Sequence, residues 1–164
     1  MNKSVAYLET SFVSYLTGWV SPHPEAARRQ SLTWKWWEEE GDKWQCVVSQ
    51  AVLDEVKLGN LEAAQRRLEC IEGLEVSRTT DEAWSLMETL VAAHALPEKA
   101  RTDALHVAMA AVRGVDLLLT WNCRHIANPV MLPKIYSTLE KAGYKCPAIA
   151  TPGQLLAAKG GTEP

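Results

Sequence analysis

Short apolar stretches alternate with helical stretches along this chain of 164 residues, and this alternation limits the fold more than any other feature. The apolar stretches, each predicted as a strand, are residues 5–8, 44–49, 74–76, 115–120 and 147–150. Helix formers, capping residues and glycine stops fill the segments between them. Because no hairpin signal joins neighbouring strands, the connections are predicted to be crossovers between parallel strands. The sequence therefore predicts an α/β fold, a three-layer α/β/α sandwich around a parallel sheet of about five strands.

The length and composition fit one globular domain. Hydrophobic residues make up 47% and charged residues 23% of the chain, which is close to the globular average. A chain of this length buries a single core. We expect one domain over residues 1–158, followed by a flexible C-terminal tail over residues 159–164.

The charge and the absence of targeting signals narrow the function classes. The net charge is −3 and the isoelectric point is near 5.8, so the protein as a whole does not attract nucleic acid, although a local basic patch stays compatible with this charge. The first residues lack the pattern of a signal peptide, and no apolar stretch approaches the roughly 18 residues of a membrane helix. We therefore expect a cytoplasmic protein with no membrane contact.

The first predicted strand ends directly in a carboxylate, Glu9. Thr10 and Ser11 follow, and such hydroxyl residues favour the start of a helix. Ligands of open α/β sheets bind at the carboxyl ends of the strands. Glu9 is therefore a candidate functional residue, with a solvated turn residue as the alternative interpretation.

Three further polar residues are predicted near the same edge of the sheet. Glu55 lies in the helix after the second strand, Asp103 in the helix before the fourth strand, and Asn122 just past the end of that strand. Acids gathered in one cleft repel one another unless a cation or a proton is bound. Hard oxygen ligands suit Mg²⁺ or Mn²⁺, and such a site performs phosphoryl chemistry. Taken singly, Glu55 and Asp103 are equally explained as acids that complement a helix dipole.

Four short motifs resemble, in order and in spacing, the acidic motifs of PIN-domain nucleases. Within these nucleases the chain is most similar to the VapC-type toxins of bacterial type II toxin-antitoxin systems. The motifs are Tyr7-Leu-Glu-Thr-Ser11, Ser49-Gln-Ala-Val-Leu-Asp-Glu55, Thr102-Asp-Ala-Leu-His106 and Leu118-Leu-Thr-Trp-Asn122. The resemblance runs over residues 5–155. It implies a PIN-like sheet of strand order 3-2-1-4-5 and metal-dependent hydrolysis of RNA phosphodiester bonds.

The resemblance also implies the catalytic residues. Glu9 and Asp103 would be the principal Mg²⁺ or Mn²⁺ ligands, and Glu55 would be a further acid that binds the metal directly or through water. Asn122 would occupy the fourth acidic position. The family usually has Asp at the positions of Glu9 and Asn122, and the neutral Asn122 leaves about three negative charges instead of four. We therefore keep an alternative function, a catalytically impaired PIN-fold module that binds RNA or protein.

Hydroxyl and basic residues near the same edge are candidates for substrate binding. By the resemblance, Thr10 or Ser11 would hold a ligand or a phosphate. Arg124 and His125, directly after Asn122, are the best candidates for contacts to RNA, whose affinity depends on its phosphate backbone. The alternative is that this pair only balances the charge of the acids. Further candidates are Lys99 and Arg101, and as outer contacts Arg28, Arg29 and Lys35.

For a toxin, the resemblance implies a homodimer and inhibition by a small antitoxin protein. The tryptophan cluster Trp34, Trp36 and Trp37 is our candidate for part of that contact surface. Competing kinds of site lack their signals: Cys123, His125 and Cys146 match no common zinc spacing, and no glycine-rich loop follows the first strand.

Overall fold

A five-stranded parallel sheet forms the centre of the protein in the computed structural model, which describes residues 2–160. The strands are β1 (Ser4–Leu8), β2 (Trp44–Ser49), β3 (Glu75–Ser77), β4 (Leu117–Leu119) and β5 (Ala148–Ala150). They lie in the order β3-β2-β1-β4-β5, and each neighbouring pair is parallel. The predicted sheet and its strand order are confirmed.

Eight helices over residues 2–160 cover the two faces of this sheet. They are α1 (Thr10–Thr17), α2 (Pro24–Glu40), α3 (Gln50–Val56), α4 (Leu61–Ile71), α5 (Asp81–Ala92), α6 (Arg101–Arg113), α7 (Leu132–Lys141) and α8 (Pro152–Gly160). The chain moves from β1 towards β3 and then crosses back to β4. Right-handed crossovers therefore put α1, α2 and α4 on one face and α5, α6 and α7 on the other. Helix α8 packs against α2 and so lies on the first face.

Local sequence signals set several helix ends where they were predicted. At α8, Thr151 N–H donates to Gln154 Oε1 at 2.9 Å and Gln154 N–H donates to Thr151 Oγ1 at 3.1 Å, which is the reciprocal capping box. Helix α6 ends at Gly114, whose φ of 76° is the left-handed conformation that glycine adopts without strain. Side-chain caps begin three other helices, at Ser49, Asn60 and Thr80.

The central strands are fully buried and bring the ends of β1 and β4 together. Leu8 pairs with Leu119, so the residues that follow them leave the sheet side by side. Tyr7 and Leu8 have no exposed surface, as expected for a strand covered on both faces. The register therefore places Glu9 and Thr120 at one point of the carboxyl edge.

Two expectations need adjustment. Helix α8 continues to Gly160, so the first two residues of the predicted tail are helical, and residues 161–164 lie outside the described part of the chain. The tryptophan cluster is not an exposed surface: Trp36 is 1% exposed, and Trp34 donates its indole N–H to Leu16 O at 3.0 Å. The expectation that Trp36 belongs to a contact surface is therefore wrong. Within residues 2–160, no helix combines the length and the apolar character needed to cross a bilayer.

Candidate active site at the carboxyl edge

Glu9 is a buried carboxylate at the junction of β1 and α1. It continues the sheet through its backbone, since Glu9 N–H donates to Leu119 O at 3.1 Å, and only 5% of the residue is exposed. A buried carboxylate needs donors to replace water. Two hydroxyls supply them at Oε1: Ser11 Oγ, and Thr120 Oγ1 at 2.6 Å. Both of these hydroxyls donate to Oε1. The second oxygen, Oε2, is on the side of His106, 4.0 Å from its Nε2.

Glu55 approaches the same cleft from α3. Thr10 Oγ1 donates to Glu55 Oε1 at 2.5 Å, and His106 Nε2 donates to the same oxygen at 2.6 Å. The Glu55 side chain is 32% exposed, so one side of it is open to solvent. Thr10 and Ser11 were predicted to hold a ligand or a phosphate. In the structure, Thr10 donates to Glu55 and Ser11 donates to Glu9, so each hydroxyl orients a carboxylate.

His106 is the main functional candidate that the sequence interpretation missed. It is fully buried on α6, and its Nδ1 lies 2.8 Å from Tyr7 OH, which lies 2.6 Å from Ser49 Oγ. Ser49 caps α3, the helix that carries Glu55. A chain of hydrogen bonds therefore runs from Glu55 through His106 and Tyr7 to Ser49 and connects two strands and two helices. We call this chain the relay. The one available signal was spacing, because His106 follows Asp103 by three residues and so shares its helix face.

Opposite pKa shifts define the charge state of this pair. Burial alone would lower the pKa of His106, but the hydrogen bond to Glu55 and the charges of Glu9, Glu55 and Asp103 raise it overall. Burial alone would raise the pKa of Glu55, but the bond and charge of His106 and the Thr10 hydroxyl lower it. Both directions favour the charged forms, an imidazolium at His106 and a carboxylate at Glu55. At the far end of the relay, burial raises the pKa of Tyr7, which stays a neutral phenol.

The three groups at the centre of the edge lie close enough to hold one cation. Ligand atoms of Glu9, Glu55 and His106 all lie within 4.8 Å of one another, and Glu9 Oε2 is 4.0 Å from His106 Nε2. Both ring nitrogens of His106 are already hydrogen-bonded, so carboxylate oxygens are the available donors. Oxygen donors fit Mg²⁺ or Mn²⁺ better than metals that prefer nitrogen or sulfur.

Asp103 and Asn122 occupy the outer part of the same edge. Asp103 Oδ2 pairs with His125 Nδ1 at 2.8 Å, and the charge of Asp103 also acts on His106 one turn along α6. Asn122 Oδ1 accepts a hydrogen bond from His125 N–H at 2.9 Å, and Asn122 N–H donates to Thr120 Oγ1 at 2.9 Å. The amide oxygen of Asn122 therefore stabilises the turn after β4.

The basic candidates differ in how they are engaged. Arg124 is exposed and directly precedes His125 in the chain. Arg101 instead forms salt bridges with Glu88 and with Glu98, the latter at 2.7 Å. Of the predicted basic contacts, His125 is the one that pairs with an acid of the site, and Arg124 precedes it in the loop after β4.

Comparison with solved structures identifies the fold. No protein-family model matches the chain, and no curated protein matches it by sequence. The fold is that of the PIN-domain VapC toxins. VapBC2 from Rickettsia felis, bound to a DNA fragment from its promoter, aligns with a TM-score of 0.57 at 16% identity over 90% of this chain and 98% of its own. The Mycobacterium tuberculosis toxin VapC20, which cleaves the sarcin-ricin loop, aligns with a TM-score of 0.56 at 16% identity over 85% of this chain and 96% of its own.

Proposed function

We propose that this protein is a metal-dependent endoribonuclease and the toxin of a toxin-antitoxin pair. The observation that carries the proposal is the convergence of buried Glu9 with Glu55 at the ligand-binding edge of a VapC-type fold. Two carboxylates at this distance repel each other, and a bound cation would add to the compensation that His106 supplies from one side. The hydroxyls of Ser11 and Thr120 donate to Glu9 Oε1 and orient this carboxylate.

Glu9, Glu55 and Asp103 would hold the Mg²⁺ or Mn²⁺ ion. A bound ion supplies Lewis acidity towards a phosphate oxygen and lowers the pKa of a water molecule. The chain supplies position: Ser11 and Thr120 fix Glu9, and the Thr10 hydroxyl and His106 fix Glu55. Asp103 would add the third carboxylate from the outer part of the edge.

His125 and Arg124 would contact the scissile phosphate. His125 lies 2.8 Å from Asp103, so a phosphate near Asp103 also lies near its imidazole ring. Arg124 is exposed beside it and adds a permanent positive charge. These two residues would counter the acids at the point where an anionic substrate must enter.

The same proposal includes the biological setting. The Rickettsia felis relative by structure is a VapBC assembly, and we propose by analogy that this chain pairs with a small antitoxin protein, forms a homodimer and acts on RNA in the cytoplasm. The tight packing of Trp36 removes it from the proposed antitoxin surface and leaves the half-buried Trp34 and Trp37.

One observation favours a second candidate, a PIN-fold module that binds RNA or a protein without cutting. Asn122 is neutral, and its side-chain oxygen is used in a turn. If activity depends on a fourth acid at this point, the cleft binds a substrate but does not hydrolyse it.

Incubation of the protein with a mixed RNA pool separates the two candidates. We expect cleavage with Mg²⁺ or Mn²⁺, none with EDTA, and none with the variant Asp103→Asn. Asp54→Asn is the matched control, because Asp54 is paired with Gln50 on the exposed side of α3, and it should cut like the wild type. RNA that is bound but stays intact with every divalent metal would contradict the nuclease and support the binding module.

A further inference from the structure

A groove next to the acidic edge is lined with basic side chains. It lies between α2 and α8 and has a volume of about 650 Å³. Arg28, Arg29 and Lys35 line one wall, and Trp121 forms the floor. Among residues 2–160, no Asp or Glu side chain lines this groove. It is therefore a local concentration of positive charge on a protein whose net charge is −3.

The positive charges are held in place but only lightly neutralised. Arg29 donates to Trp121 O at 3.3 Å, and its guanidinium group lies 5.2 Å from the centre of the Trp121 ring. Glu25 accepts from Arg28 at 2.8 Å and from Arg29 at 3.3 Å. The Glu25 side chain is 61% exposed, and such exposed pairs contribute little. Arg28 and Arg29 thus share one exposed carboxylate.

The spacing of the cations suits an extended polyanion. Arg28 and Lys35 are seven residues apart on α2, so they lie two turns apart on the same helix face, about 10 Å along the axis. Both side chains reach solvent. An extended chain of phosphates running along α2 meets one cation after the other.

The groove lies next to the acidic site in the fold. Trp121 N–H donates to Ser11 Oγ at 2.8 Å, and the same hydroxyl donates to Glu9. The floor of the groove is therefore two hydrogen bonds away from the carboxylate at the centre of the candidate metal site.

We propose that this groove binds the phosphate backbone of single-stranded RNA and leads it into the acidic site. The inference rests on the proposed function and adds to it the path of the substrate. Trp121 is only 4% exposed beneath Arg29, so the groove offers no open aromatic surface for stacking bases. Binding in it is therefore independent of sequence and strongly dependent on salt.

The test measures the affinity of a fluorescent 12-nucleotide RNA by anisotropy in EDTA, where no cleavage occurs. The groove variant is Arg28→Ala/Lys35→Ala, two exposed residues whose loss does not disturb the core. Lys134→Ala/Lys141→Ala is the matched control, with the same change of charge and the same spacing, on α7 at the opposite face. Each phosphate contact contributes about 0.7 to the slope of log K against log salt for single strands.

We expect the groove variant to lose about 1.4 of that slope, and the control variant to lose none. Between 50 and 200 mM salt, the wild-type Kd should then rise about sevenfold more than the Kd of the groove variant. RNA should also slow the alkylation of Cys123, which lines the groove and is the exposed one of the four cysteines. Equal slopes in the wild type and the groove variant, or no RNA binding by the wild type, would overturn the inference.

Cleavage kinetics with Mg²⁺ separate this inference from the proposed function. With both correct, the groove variant cuts with a raised KM and an unchanged kcat. If the wild type cuts RNA and the groove variant cuts it with the same KM, the groove inference fails and the nuclease stands. If the salt slope falls as expected but the wild type never cuts, the groove stands and the nuclease fails.

Discussion

Two acid–histidine pairs lie at the carboxyl edge of the sheet, and they differ in how they are held. Glu55 and His106 are 2.6 Å apart, and the ring of His106 is fully buried and tied to Tyr7. Asp103 and His125 are 2.8 Å apart, but both side chains are partly exposed, at 22% and 13%. The difference lies in the histidines: His106, of the inner pair, is fixed in the core, whereas His125, of the outer pair, keeps some contact with solvent.

This difference suggests a division of labour at the proposed site. Hydrogen bonds hold the inner pair in one geometry, because each polar atom of the relay has a buried partner. The outer pair can exchange its partners for water, metal or phosphate at little cost. We infer that Glu9 and Glu55 define where a cation sits, while Asp103 and His125 adapt to the substrate.

The largest expected effect is the difference between replacing His106 and replacing His125. His106→Gln breaks the buried relay, and we expect Mn²⁺ affinity to fall about 10- to 100-fold. The free energy of unfolding should fall by about 3 kcal/mol, the low end for a buried ion pair, because the Glu55 side chain is 32% exposed. Calorimetric titration and urea denaturation measure the two effects.

His125→Gln is the control for the inner substitution. We expect it to change the free energy of unfolding by less than about 1 kcal/mol, as is usual for exposed pairs. Equal losses of stability in the two histidine variants would show that the two pairs are not held differently.

Tyr7→Phe tests the far end of the relay by removing a single hydroxyl. His106 Nδ1 then loses its partner inside the core, and we expect the free energy of unfolding to fall by about 1–3 kcal/mol. Tyr15→Phe keeps the ring that packs against Trp121 and should stay within about 0.5 kcal/mol of the wild type. A Tyr7→Phe protein as stable as the Tyr15→Phe control would refute the relay.

The pH dependence of stability follows from the two pKa shifts of the inner pair. The pKa of His106 is raised above its ordinary value of 6.5, so its contribution is full below that pH and is lost as the pH rises through the folded pKa. The pKa of Glu55 is lowered below 4.5, so its contribution is full above that pH and is lost as the pH falls through the folded pKa.

The pair should therefore stabilise the metal-free protein most between pH 4.5 and 6.5. Urea denaturation in EDTA over a range of pH measures the difference between wild type and His106→Gln. We expect this difference to be largest within that window and to shrink on both sides of it. A difference that is constant with pH would contradict the charged pair.

Asn122→Asp should have the smallest effect on Mn²⁺ affinity, and it should raise the affinity. Asp keeps the oxygen that accepts from His125 N–H and adds one negative charge to the outer part of the edge. A partly solvated charge near a cation is worth about 1 kcal/mol, or about fivefold in Mn²⁺ affinity. Asn60→Asp, at the remote cap of α4, should leave the affinity unchanged. A weaker affinity in Asn122→Asp would show that the turn, not the charge, decides at this position.

The gathering of the acids was predictable from the sequence, because it follows from the parallel sheet alone. Once apolar strands alternate with helices, Glu9 and Asn122 must leave neighbouring strands at one edge. The capping box at Thr151 and Gln154 was predictable for a local reason, since its partners are three residues apart.

The partners of these acids were not predictable, because they come from distant parts of the chain. His106 meets Glu55 across 51 residues and Tyr7 across 99 residues. No local pattern encodes such a relay. The three-residue spacing is consistent with His106 near Asp103 on α6, but the burial of His106 depends on the packing of α6 against α3 and β1.

The wrong assignment of the tryptophans has a physical cause. The three tryptophans were assigned together to a contact surface, whereas the buried residues of α2 are Gln30, Thr33 and Trp36. Thr33 is buried because its hydroxyl accepts the indole N–H of Trp121 at 2.7 Å. Because a polar residue lies at the centre of the packed face, a search for hydrophobic residues at helical spacing does not identify that face.

Calorimetric titration of Mn²⁺ into the metal-free protein tests the central claim most directly. The wild type should bind the ion, and Glu9→Gln should bind it at least about 100-fold more weakly, while Glu38→Gln on the exposed side of α2 should bind like the wild type. If the wild type takes up no ion, or if Glu9→Gln binds it equally well, the carboxyl edge is not a metal site.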